Sequence, residues 1–127
     1  MTTINTESKI CTLINVFNVK PEKADELLVA LKEATENVIS HFEGYVSANL
    51  HISSDKRTIT NYAQWQSLEN YEKMMKDPDA QAQMKKAAAL AESSTPIVYD
   101  MVWSHERDPE TEITFHLNTS DNKKKTV

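Results

Sequence analysis

Glycine and cysteine are nearly missing. One glycine, Gly44, stands in 127 residues, and one cysteine, Cys11. A single glycine cannot build a GxGxxG turn or a phosphate-cradling loop, so neither dinucleotide nor triphosphate binding has a visible motif. A single cysteine forms no internal disulfide and no cysteine-rich zinc site, and it suggests a reducing compartment. The histidines His41, His51, His105 and His116 make no HxH or HxxxH pair. No serine sits in a nucleophile elbow. No apolar run approaches the ~20 residues of a membrane span. The N-terminal "MTTINTESKI" lacks a basic then apolar leader. Basic runs are missing too, apart from Lys123-Lys124-Lys125. With a net charge of −5 the chain is poorly suited to phosphate backbones. These absences point to a cytoplasmic protein with no nucleic-acid, membrane or metal partner.

What is present is patterned. "KICTLINVFNV" (9–19) is β-branched, aromatic and apolar on both faces, as in a strand covered twice. Pro21 opens a helix over 21–42, with Ala24, Leu27, Leu28, Leu31, Thr35, Val38, Ile39 and Phe42 recurring at three- and four-residue steps. Gly44 follows, where a left-handed turn is easiest for glycine. "YVSANLHIS" (45–53) alternates, and the polar turn "SSDKR" joins it to "TITNYAQWQ" as a hairpin. Ser67 caps a helix bearing Tyr71, Met74 and Met75. Asp77-Pro78 restarts a helix whose narrow face carries Ala80, Met84, Ala87, Ala88 and Ala91. "PIVYDMVWSH" (96–105) is the last strong strand.

The order strand, helix, strand, strand, helix, strand predicts an α+β, ferredoxin-like βαββαβ domain with a four-stranded antiparallel sheet. The domain is expected over 9–106. Residues 1–8 read as a flexible N-terminus. Residues 107–127 read as an extension with a basic end and a weak strand signal at Ile113, Phe115 and Leu117. Helices cover one face of such a sheet. Apolar residues on both faces imply a second sheet across it, and another copy of the chain supplies that most simply, so a homodimer is expected.

One strand raises a chemical question. In "TITNYAQW", Ile59, Asn61, Ala63 and Trp65 share a face. An amide and an indole N–H there need partners if buried. Small Ala63 between them leaves a gap. His51, Asn49 and Ser47 on the paired strand are candidates to line it, and Tyr71, one turn into the next helix, to close it. A pocket with aromatic walls and few donors suits a flat polar ligand. Each residue has a plainer alternative. Trp65 and Tyr71 serve equally as core packing, Asn61 as a satisfied buried amide, His51 as a surface or interface side chain.

The runs "INVFNVKPEKADELLVALKEATE", "GYVSANLHIS", "NYAQWQSLENYEKMMKDPDA" and "PIVYDMVWSHE" resemble the antibiotic biosynthesis monooxygenase family of dimeric α+β barrels. The resemblance is strongest to its cofactor-free members, which oxidise anthrones and phenols to quinones with O2 as co-substrate. It implies catalytic roles for Asn61, Trp65, Tyr71 and His51, and substrate contacts at Ser47, Asn49, Ala63, Met75, Met84 and Lys85. Lys85 stands where the family pattern implies an arginine, a point charge in place of a planar fork. The resemblance leaves two alternatives. One is haem degradation in the same superfamily, which calls for a proximal histidine that "DAQAQMKKAAALAES" lacks. The other is a dimer that binds a small ligand without catalysis.

Overall fold

A computed structural model of the chain describes residues 10–107. The expectations for residues 1–8 and for the strand at Ile113, Phe115 and Leu117 lie outside the described residues. Within them, β1 (Cys11–Asn18) leads into α1 (Pro21–Asn37), a short 3-10 turn (Ile39–His41) and β2 (Tyr45–Ile52). Then come β3 (Thr58–Trp65), α2 (Leu68–Met75), α3 (Pro78–Ala88) and β4 (Ser93–Tyr99). The sheet order is β2-β3-β1-β4, every neighbouring pair antiparallel. This is the ferredoxin-like plan that the element order predicts.

Local chemistry explains the punctuation. Pro21 sits in the first turn of α1, where a missing N–H costs nothing. The Oγ of Ser67 accepts the Asn70 N–H at 3.1 Å, and Asp77 Oδ2 accepts the Ala80 N–H at 3.0 Å. Both caps hold orphan donors at helix N-termini. Gly44 has φ 88°, and its carbonyl accepts the Gln66 N–H at 2.7 Å, tying the start of β2 to the end of β3.

Two elements differ in extent from the sequence reading. The first helix ends at Asn37 rather than 42, and its last residues tighten into the 3-10 turn that feeds Gly44. The last strand starts at Ser93, three residues before Pro96, and stops at Tyr99. Pro96 is tolerated because β4 is an edge strand, where a missing N–H breaks no ladder on the outer side.

The core lies between sheet and helices. One cluster gathers Cys11, Leu13, Ala63, Trp65, Tyr71, Met74 and Ala80; a second gathers Phe17, Val19, Leu27, Ile59 and Ala87 among its members. Alanines at 30, 34, 80 and 87 are buried, so α1 and α3 can approach the sheet and each other closely. The opposite sheet face is mixed. Thr12 and Gln64 are buried there, Ile14, Val16 and Tyr62 are half-buried, and Ile97 and Tyr99 on β4 are exposed.

Candidate active site

The register places the site. Asn61 on β3 lies opposite Asn15 on β1, and Ala63 opposite Leu13. On the other side of β3, Ala48 faces Ala63 and Leu50 faces Asn61. The adjacent alanines at 48 and 63 clear space on the sheet floor. Above that space lies a cavity of about 340 Å³, a size common for small-molecule sites. α1 contributes Leu31, Ala34 and Thr35 to its walls; α2 and α3 contribute Tyr71, Met74, Met75, Gln83, Met84 and Lys85.

Asn61, Trp65 and Tyr71 therefore come together around one cavity, with Ala63, Met75, Met84 and Lys85 in its lining. Trp65 is almost fully buried. It meets Tyr45 edge-on, with ring centroids 5.7 Å apart, and Tyr71 at 6.2 Å with planes at 63°. This aromatic end would hold the face or edge of a planar ligand.

Ser47, Asn49 and His51 do not line the cavity. They pair with Gln64, Tyr62 and Thr60, which share the opposite face of the sheet. The reason is alternation: Ala48, Leu50 and Ile52 turn to the helix side, and their polar neighbours turn away. There Ser47 Oγ donates to Gln64 Oε1 at 3.3 Å, and Asn49 Nδ2 donates to the Tyr62 carbonyl at 2.9 Å. His51 is exposed on that side. The expectation that these three residues face the gap is corrected accordingly.

Asn15 is the residue that sequence reading missed. It lines the cavity beside Asn61, and the side-chain Oδ1 of each is buried without a hydrogen-bond partner. Native proteins rarely leave such atoms unpaired, and each costs about 1–3 kcal/mol in desolvation. Their amides have room to accept or donate to a ligand oxygen, since an amide can present either atom. A signal was available: Asn15 interrupts an apolar face between Leu13 and Phe17, just as Asn61 interrupts Ile59 and Ala63.

The electrostatics are sparse. Among the described residues that line the cavity, Lys85, itself an exposed side chain, is the sole formally charged one, and none is a carboxylate, histidine or cysteine. Burial pushes the Tyr71 phenol above its usual value of 10, and the nearby Cys11 adds to the shift. Burial does the same to Tyr45. Both phenols are neutral hydrogen-bond donors at neutral pH and poor proton acceptors. The Cys11 thiol is raised chiefly by burial, and further by Asp100 and Glu72, so it behaves as a small apolar group. Among the described residues no cluster of histidine, cysteine, aspartate or glutamate could hold a metal ion. No helix among them is long and apolar enough to cross a membrane.

Comparison with known proteins agrees with this geometry. A family model described as antibiotic biosynthesis monooxygenase matches residues 10–86. Tetracenomycin-F1 monooxygenase of Streptomyces glaucescens is 44% identical over 81 residues, which cover 64% of this chain and 72% of that protein. Two solved structures share the fold. One is the monooxygenase from ActVA-Orf6 of Streptomyces coelicolor, in complex with nanaomycin D. It is 20% identical with a TM-score of 0.71, covering 77% of this chain and 92% of that one. The other is SnoaB, a cofactor-independent oxygenase from Streptomyces nogalater. It is 16% identical with a TM-score of 0.67, covering 80% of this chain and 99% of that one.

Proposed function

The chain belongs to the antibiotic biosynthesis monooxygenase family, and from that premise we propose that it oxidises an aromatic polyketide anthrone or phenol to a quinone with O2 and no cofactor. The observation that carries this reading is the pair of buried amide oxygens, Asn15 Oδ1 and Asn61 Oδ1, left without a partner in the lining of an aromatic-walled cavity. As placed, each Oδ1 accepts from a phenolic O–H of the substrate; turned about, the amide presents its Nδ2 donor to the oxygen on which negative charge then develops.

The chemistry balances without a cofactor. The substrate carbon loses a proton to give a delocalised anion. That anion passes one electron to O2, and recombination of the radical with superoxide forms a C–O bond. Protonation gives a hydroperoxide; loss of water breaks the O–O bond and leaves the carbonyl. A CH2 and O2 thus become C=O and H2O. Asn61, Asn15 and the Trp65 N–H hold the oxygen that carries the anion's charge. Tyr71 donates a hydrogen bond, and Met74, Met75 and Met84 keep bulk water from the peroxide.

Among the described residues, no group in the lining is suited to act as a base. The substrate's own acidity must therefore set the ionised fraction. The rate is expected to fall as pH drops through the substrate's pKa, and the inflection should move when a more acidic phenol is used. An inflection that stays put across substrates would assign the base to the protein.

The direct test is oxygen uptake by metal-free protein with a panel of anthrones and hydroquinones. Uptake above the spontaneous rate supports an oxygenase. None from any member of the panel would favour a non-catalytic ligand-binding role.

We also propose that a second copy covers the open sheet face, where Ile97 and Tyr99 are exposed. Sedimentation at micromolar concentration is expected to show a dimer, and a monomer alone would contradict it.

A further inference from the structure

Thioethers are concentrated at the cavity. Three of the chain's five methionines, Met74, Met75 and Met84, line it. Met74 and Met75 end α2 and Met84 lies in α3, so one wall gathers sulfur from two helices. Met75 and Met84 are half-buried and pack against the cluster that holds Trp65 and Tyr71, while Met74 is 3% exposed within it. Methionine fills irregular gaps in cores, but leucine fills a similar volume, and α1 packs with Leu27, Leu28 and Leu31 and no methionine. A thioether differs from leucine in one chemical respect. It is nucleophilic without losing a proton, and it takes an oxygen atom from a peroxide. No thiol competes, since Cys11 is buried outside the lining.

We propose that Met75 and Met84 are sites of sulfoxidation by the substrate hydroperoxide formed beside them, so that the protein limits its own number of turnovers. This deepens the oxygenase reading and rests on the cavity being the place where the peroxide forms. In the step, sulfur attacks the terminal peroxide oxygen. An S–O bond forms, the O–O bond breaks, and the peroxide's proton passes to the oxygen left on carbon. Sulfur gives up two electrons, and R–OOH becomes R–OH. The sulfoxide sets a polar oxygen on an apolar wall and weakens its hold on a flat ring.

A ready-made peroxide tests this separately from turnover. Cumene hydroperoxide is aromatic, and with no hydrogen on its peroxide carbon it cannot lose water to a carbonyl. Peptide mass spectrometry then counts one added oxygen at each methionine. Met101 is half-buried and outside the lining, so it is the internal control. Oxidation at Met75 and Met84 is expected to outrun that at Met101 about tenfold, from proximity in the bound state, with one cumyl alcohol formed per sulfoxide. Hydrogen peroxide, which has no ring to be held, should bring that ratio towards one. During oxidation of an anthrone the same two sulfoxides should grow as the rate decays. Met75→Leu combined with Met84→Leu, a swap that conserves volume, should extend the turnovers completed before the rate halves, whatever its initial rate. Equal oxidation of Met101 overturns the proposal. So does a ratio unchanged with hydrogen peroxide, and so does oxygen uptake that neither decays nor marks these methionines. The stated preference with cumene hydroperoxide, but no oxygen uptake from any anthrone or phenol, would keep the peroxide-reactive site and overturn the oxygenase reading instead.

Discussion

Asn61→Ala is expected to lower kcat by about 10²–10³-fold, the scale of losing one donor to a developing oxyanion, without weakening the fold. The two halves of that outcome belong together. Asn61 Oδ1 is buried and unpartnered, so the folded protein already bears its desolvation cost. Alanine removes that cost and leaves a small void beside a cavity that already exists. The urea midpoint should stay level or rise while turnover collapses, the trade-off of a site built for function over stability. An oxygen electrode and a urea titration on the same preparation measure both. If Asn61 were an ordinary core amide, alanine would lower the midpoint and spare kcat. That reversed pair of results would remove Asn61 from the mechanism.

Gly44→Ala is expected to cost about 2–5 kcal/mol, from two causes that can be separated. A side chain at φ 88° pays roughly 1–2 kcal/mol for the left-handed backbone. The added Cβ would also overlap the side chain of Asn70, including its Cβ, which leaves little freedom to swing away. Overpacking of this kind adds about 1–3 kcal/mol. Asn70 is held in turn, because Ser67 Oγ donates to its Oδ1 at 2.7 Å. Urea unfolding of Gly44→Ala in an Asn70→Gly background should recover the steric share and keep the backbone share, measured against Asn70→Gly alone. Full recovery would show that the positive φ contributes nothing.

Much of this was legible from residues alone. Ser67 and Asp77 announced helix starts, Pro21 and Pro78 lay where helices begin, and Gly44 marked its turn. The inward face of β3 was readable because period-two alternation puts Asn61, Ala63 and Trp65 together. Asn15 was as readable by the same rule, but its strand is apolar on both faces and the interruption is easily passed over. The placement of Ser47, Asn49 and His51 failed for another reason. Their chemistry suited a pocket, whereas their side of the sheet is decided by the register, which sets Ala48, Leu50 and Ile52 opposite Ala63, Asn61 and Ile59 on the helix side and turns their polar neighbours away. The cavity walls needed tertiary structure. Only the packing of α3 against sheet and α1 shows that Lys85 lines the cavity and its neighbour Lys86 does not.

Both margins of the sheet are blunted. On β4 the proline at 96 takes the place of a residue with an N–H, and such residues in sheets turn their nitrogen outward. On β2 the ladder is irregular between Tyr45 and Ser47, and a bulge twists an edge away from a would-be neighbour. A sheet that cannot lengthen sideways can still stack. Two copies meeting face to face form a closed pair with a twofold axis, and each consumes the surface that the other would offer to a third. In the dimer proposed above, the residues that trim the ladder would thus also guard the pair against fibrous growth.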